Sequence, residues 1–154
     1  MNGNARNLKP AGNAPRTDRL FSLSEANRSL VLVGRIVADI VEEYGMLTDL
    51  HETAEAAQRA DRHGYTEAAR DRMVQAVERI QDFVSELDQV GVDLKDWTLG
   101  VVHFPAMAGG REVVLCWEAG EAEVGFWHEV DSSCADRKGV ESLPSDEPAL
   151  ARTR

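Results

Sequence analysis

The sequence predicts an α+β fold in which a long antiparallel helical hairpin precedes a small three-stranded antiparallel β meander. Two observations carry this. Apolar side chains recur every three or four residues from Leu30 to Val90, and past Gly91 the recurrence shortens to two. A third supports them: with 154 residues, 43% hydrophobic and 29% charged, the chain is long enough to bury a core as one domain without disulfides or metal.

Residues 1–19 hold Gly, Pro, Asn and Arg with no apolar stretch, and are expected to form a disordered basic arm. A single α+β domain is expected over residues 20–138. Its first helix starts after Phe21-Ser-Leu-Ser24, with Ser24 as the cap and Glu25 placing negative charge in the first turn. The seam then runs Leu30, Val33, Val37, Ile40, Tyr44, Leu47 and Ala54, with His51 in the one vacancy, a coiled-coil-like spacing. No proline interrupts residues 25–62, so the helix reaches about 57 Å, and Gly45 is the expected place for a bend. Asp61 to Tyr65 reads as a turn with Gly64 as a left-handed cap. Thr66 caps the second helix, whose seam is Met73, Val77, Ile80, Val84 and Leu87, widened by Ala76, Phe83 and Val90, and Gly91 stops it.

Strands are expected at Leu99–Phe104, closed by Pro105, then at Arg111–Trp117 after a turn at Met107–Gly110, and at Glu123–Val130. Residues 139–154 are rich in Gly, Ser, Pro and acids and are expected to be a disordered tail. Because the first helix is longer than the second, its surplus apolar face needs a cover, either the β unit or a second copy of the chain, and both in combination are expected. A homodimer through the helical seams, forming a four-helix bundle, is the expected assembly.

The net charge is −10; the first 19 residues hold +3 and the last 16 hold −1, leaving −12 on the body between. Such a body repels phosphate backbones and anionic lipid, so neither nucleic acid nor a membrane is expected as a partner. The partner beyond the homodimer is left open as a protein or a small molecule. The two cysteines form no Cys-x-x-Cys pair, and no secretory or membrane-spanning stretch stands at either end, which points to the cytoplasm. Cys116, inside Val-Val-Leu-Cys-Trp, reads as a small hydrophobe.

Several phrases taken together resemble a family of bacterial and archaeal proteins known as domain of unknown function 2203. They are Phe21-Ser-Leu-Ser-Glu-Ala-Asn27, Gly91-Val-Asp-Leu-Lys-Asp96, Gly110-Arg-Glu-Val-Val-Leu-Cys-Trp117, Gly120-Glu121 and Phe126-Trp-His-Glu129. The resemblance spans roughly residues 20–138 and implies a fold and no activity. The sequence departs from the family pattern in two places. His103 stands where an aspartate is usual, and Ser132-Ser-Cys-Ala-Asp-Arg137 has fewer glycines than the pattern. A site built on an acid at the first place, or on a tight turn at the second, is therefore not carried over.

Familiar catalytic signatures fail. His51-Glu52 lacks the second histidine of a zinc-protease helix, since Glu55 stands there, and Thr48 rules out the Glu-x-x-His of di-iron bundles. His51 and Glu55 can still offer two ligands across a dimer axis, or His51 is a seam histidine with one hydrogen bond. Ser132 and Ser133 have no identifiable base, Cys134 has both cations and acids nearby, and no Gly-rich phosphate cradle exists, so no cofactor is expected.

The β unit holds the cluster that remains. On strict alternation Val124, Phe126, His128 and Val130 share one strand face, which puts His128 with the apolar set, while Trp127, Glu129 and Asp131 share the other. His128, with Glu129, Glu121 and Arg111, is a candidate for acid–base chemistry, because an imidazole titrates near neutrality. His103, His128 and Glu121 are candidate metal ligands. Trp117, Trp127, Arg111 and Arg137 are candidates for recognising a ligand or partner. Against all of these stands a structural reading, in which Trp and His fill the gap between sheet and helices with their polar atoms satisfied. The leading expectation is a non-enzymatic, oligomerising recognition module; the alternative is a small enzyme or metal-binding protein centred on His128.

Overall fold

A computed structural model describes residues 19–60, 62 and 65–145. Helix α1 spans Leu23–Arg59 and α2 spans Glu67–Val90; five strands follow, β1 Asp93–Asp96, β2 Val101–Ala108, β3 Arg111–Glu118, β4 Phe126–Glu129 and β5 Lys138–Gly139. They form one antiparallel sheet in the order β1-β2-β3-β4-β5. The α+β class and the hairpin-then-meander order hold, with five strands where three were expected.

The cap of α1 is Ser22, not Ser24. Its hydroxyl accepts from the Glu25 amide at 3.1 Å, which satisfies one free donor of the first turn, and donates to the Glu25 carboxylate. The helix starts there because Phe21 is tied to β2. Its amide donates to the Pro105 carbonyl at 2.7 Å and its carbonyl accepts from Met107 at 3.3 Å. From Ser22 the helix runs unbroken through Gly45 to Arg59 and closes at Ala60. The expected turn at Asp61, His63 and Gly64 lies outside the described residues, as do most of the arm and the end of the tail. Thr66 caps α2 through the Ala69 amide, and Gly91 ends it with φ at 95°, a left-handed conformation that glycine adopts without a Cβ penalty.

Pro105 does not close its strand. β2 continues to Ala108 because the Pro105 backbone points toward Phe21, past the end of β1, which pairs only as far as His103. The missing N–H therefore removes no ladder bond. Gly109 and Gly110, at φ 60° and 74°, make the two-residue hairpin that sets the β2–β3 register. The third strand is shorter than expected, and β1 and β5 are additional. Past Gly139 the chain stays packed: Val140–Ser142 forms a single 3-10 turn, Ser142 accepts from the Trp127 indole, and Leu143 lies against the core.

One face of the sheet carries Val102, Phe104, Ala106, Val113, Leu115, Trp117 and Trp127 into a core with Phe21, Val33, Ile36, Val37, Ile40 and Leu87. A smaller cluster of Leu47, Ala76 and Ile80 joins the far ends of the helices. The surplus face of α1 is thus covered by the sheet of the same chain. Val37 and Ile40, expected at a dimer seam, are fully enclosed by these intrachain contacts. Among the described residues no helix is long and apolar enough to cross a membrane.

Candidate metal centre

The opposite face of the sheet is where the chemistry gathers. Alternation along β2 sends Phe104 to the helices and His103 away from them; on β3 Leu115 goes in and Cys116 out. His103 and Cys116 are direct cross-strand partners. On β4 Trp127 takes the core and His128 the outer face, where it pairs with Val114, two residues along from Cys116. His128 is buried, as expected, but not against the helices. The segment that follows β4 folds back over it, and Cys134, in the 3-10 turn Cys134–Asp136, lowers its sulfur onto the same spot.

The result is a group of four donor atoms, from His103, Cys116, His128 and Cys134, all within 4.8 Å of one another. His128 Nε2 lies 3.4 Å from His103 Nε2 and 3.9 Å from Cys134 Sγ. Cys134 Sγ lies 2.8 Å from His103 Nε2 and 3.1 Å from Cys116 Sγ. Tetrahedral zinc, with Zn–N near 2.0–2.1 Å and Zn–S near 2.3 Å, has edges of about 3.3 Å between nitrogens, about 3.5 Å between nitrogen and sulfur and about 3.8 Å between sulfurs. The N–N edge agrees, and the His128–Cys134 edge at 3.9 Å is about 0.4 Å longer than that geometry. The S–S edge and the His103–Cys134 edge need to open by about 0.7 Å each, and the two N–S edges to Cys116 lie within 4.8 Å.

The surroundings prepare these atoms as ligands. His128 Nδ1 lies 2.8 Å from the Glu129 carbonyl, which only accepts, so the proton sits on Nδ1 and the Nε2 lone pair faces the cluster. Burial, then the adjacent His128, push the His103 pKa down to about 4, so its ring is neutral at ordinary pH. Burial and the hydrogen bond with Cys134 push the Cys116 thiol up to about 12. A cation of charge two reverses that preference by binding the thiolate. Arg137 supports the cluster from the side. Its positive charge acts on the Cys116 thiol, and it stacks over the Phe126 ring at 4.0 Å and pairs with Glu121 at 3.1 Å.

Of the residues singled out in the sequence, His103 and His128 meet, and Glu121 does not join them. Its carboxylate accepts from the Glu118 amide at 2.9 Å and from Arg137, so it stands one residue back from the cluster. Arg111 is paired with Glu129 at 2.6 Å on the exposed rim, which leaves neither beside the imidazole of His128. Trp117 and Trp127 are core residues, with their indole N–H groups donated to the Glu121 carbonyl and the Ser142 hydroxyl. Neither offers a surface for a partner. His51 is held by Tyr65 at 2.9 Å and Glu55 at 3.3 Å, at the far end of the hairpin. Ser132 donates to Asp136.

Sequence reasoning missed Cys116 and Cys134. The first reads as core because its neighbours Leu115 and Trp117 are core; the second lies on a loop that only the fold returns to the sheet. No curated protein and no solved structure matches the chain. A family model does, over residues 19–140, and by that match the chain belongs to the family described as uncharacterized conserved protein, domain of unknown function 2203.

Proposed function

We propose that the chain is a metal-binding protein that holds one Zn²⁺ ion between His103, Cys116, His128 and Cys134. The observation that carries this reading is the convergence of two thiols and two imidazoles from three strands and a loop within 4.8 Å. Two sulfur and two nitrogen donors gathered at one spot suit zinc, which is borderline-soft and takes Cys₂His₂ readily. Four protein ligands leave no open position for a substrate or water, so the ion acts as an anchor. It ties the segment from Val130 to Gly139 onto the outer face of the sheet, where the hydrogen bond of His128 to the Glu129 carbonyl and the contact of Arg137 with Cys116 complete the surroundings. Thiol ligands are supported by a reducing compartment such as the cytoplasm.

The test is metal analysis of reduced, untagged protein, followed by Co²⁺ substitution. One equivalent of zinc per chain is expected, with a cobalt spectrum showing tetrahedral and thiolate bands. Cys134→Ser and His128→Ala are each expected to weaken zinc binding at least tenfold. A reduced chain that takes up no metal would overturn the reading.

A homodimer is a second reading, supported by Val31 and Leu32, which stand 77% and 50% exposed on α1. Sedimentation equilibrium at micromolar concentration decides it, and monomer alone removes it.

A further inference from the structure

We propose that Cys116 and Cys134 are a thiol pair that exchanges the bound metal for a disulfide when the chain meets a low-molecular-weight disulfide. The proposal rests on the zinc reading above and adds to it what opens the site. The two sulfurs lie 3.1 Å apart, and a disulfide bond of about 2.05 Å requires them to close by only about 1 Å. Their positions differ in a way that sets the order of events. Cys134 is partly exposed on a turn whose neighbours Ser133, Ala135 and Asp136 face solvent, whereas Cys116 is 1% exposed on the middle strand.

The reaction balances without any further reagent. The Cys134 thiolate attacks one sulfur of the external disulfide RSSR, forming a mixed disulfide and expelling one RS⁻. The Cys116 thiolate, reachable from inside the chain, then attacks Cys134 Sγ and expels the second RS⁻. The two protein sulfurs are oxidised and the two external sulfurs reduced. Zn²⁺ leaves with two of its four donors gone, and each RS⁻ takes a proton from water. The loop stays tethered to β3 throughout, first by the ion and then by the covalent bond. His103 and His128 alone remain as donors, too few to keep zinc at a closed site.

The experiment loads the full reduced chain with zinc, measures the metal bound, and then adds excess glutathione disulfide. Zinc release is read with a chromophoric indicator and the thiol state by intact mass and peptide mapping. One zinc released for each Cys116–Cys134 bond formed is expected, with dithiothreitol restoring uptake. In Cys116→Ser the glutathione adduct is expected to persist on Cys134, because no second thiol can displace it. In Cys134→Ser no intramolecular bond can form, and Cys116 should resist the reagent. Zinc retained with both thiols still alkylatable, or a stable adduct on Cys134 in the unaltered chain, would overturn the exchange. A chain that takes up no zinc before the oxidant is added overturns the metal reading, and the exchange with it, at a separate and earlier step.

Discussion

His128 does its work through both ring nitrogens, and that makes it the informative residue of the cluster. Nδ1 is spent on the Glu129 carbonyl at 2.8 Å, so only Nε2 is left to bind. His128→Ala removes a candidate ligand and one of two donors to the Glu129 carbonyl, which keeps the Ser132 amide at 3.1 Å, so it should cost about 1 kcal/mol even in metal-free protein. Thermal melts with chelator present should show that loss, and melts with zinc a larger one. An unchanged metal-free melting temperature would show that the histidine is not held as described. The meeting of His103 with Cys116 had a signal in the sequence that the reading of Met107–Gly110 as the turn overlooked. A two-residue turn at Gly109-Gly110 pairs Ala108 with Arg111, and counting outward along both strands puts His103 opposite Cys116. His128 and Cys134 were not legible in the same way. The connection from Glu118 to Phe126 is too long for its turn to dictate register, and the return of Cys134 depends on a loop closing over the sheet.

At the scale of elements, the change from a helical rhythm to a two-residue rhythm at Gly91 was sufficient to place α1, α2, β2 and β3. What it could not place were β1 and β5, four and two residues long, which no periodicity distinguishes from turns. The cap of α1 was misplaced by two residues for a related reason: Ser22 and Ser24 are both capping residue types near the helix start, and only the docking of Phe21 on β2 selects the first. Ser22→Ala should therefore destabilise the chain by about 1 kcal/mol, while Ser24→Ala stays within about half of that, as denaturant melts would show. Under the proposed function, the segment from Val130 to Gly139 is the element that would depend on the ion. It contributes one two-residue strand and a single 3-10 turn, and little of it reaches the core. Chelating zinc should raise amide hydrogen exchange across this segment and leave α1, α2 and the β2–β3 hairpin protected. Equal exchange in the two states would mean that the ion does not anchor it.

For the molecule as a whole, the two faces of the sheet have separate tasks, and stability can be divided accordingly. The helix-facing side holds the apolar core, in which Leu87 is 1% exposed and packs with Val33, Phe104 and their neighbours. The outer side holds the four candidate ligands. Unlike a small zinc finger, this chain has enough buried apolar surface to fold without metal. Bound at the proposed site, zinc would add stability by mass action, about 2.7 kcal/mol when free zinc is a hundred times its Kd, or roughly 5–10 °C for a chain of this size. Leu87→Ala should lose about 2–5 kcal/mol through the cavity it leaves, and should do so equally with zinc and with chelator. Cys134→Ser should abolish the zinc-dependent rise in melting temperature and change the metal-free value little, since its side chain is outside the core. Combining the two substitutions should give the sum of their effects, because the sites lie on opposite faces of the sheet and share no packing partner. A strong departure from that sum would mean that the metal centre and the helical core are coupled through the strands, so that release of the ion is felt at the helices as well.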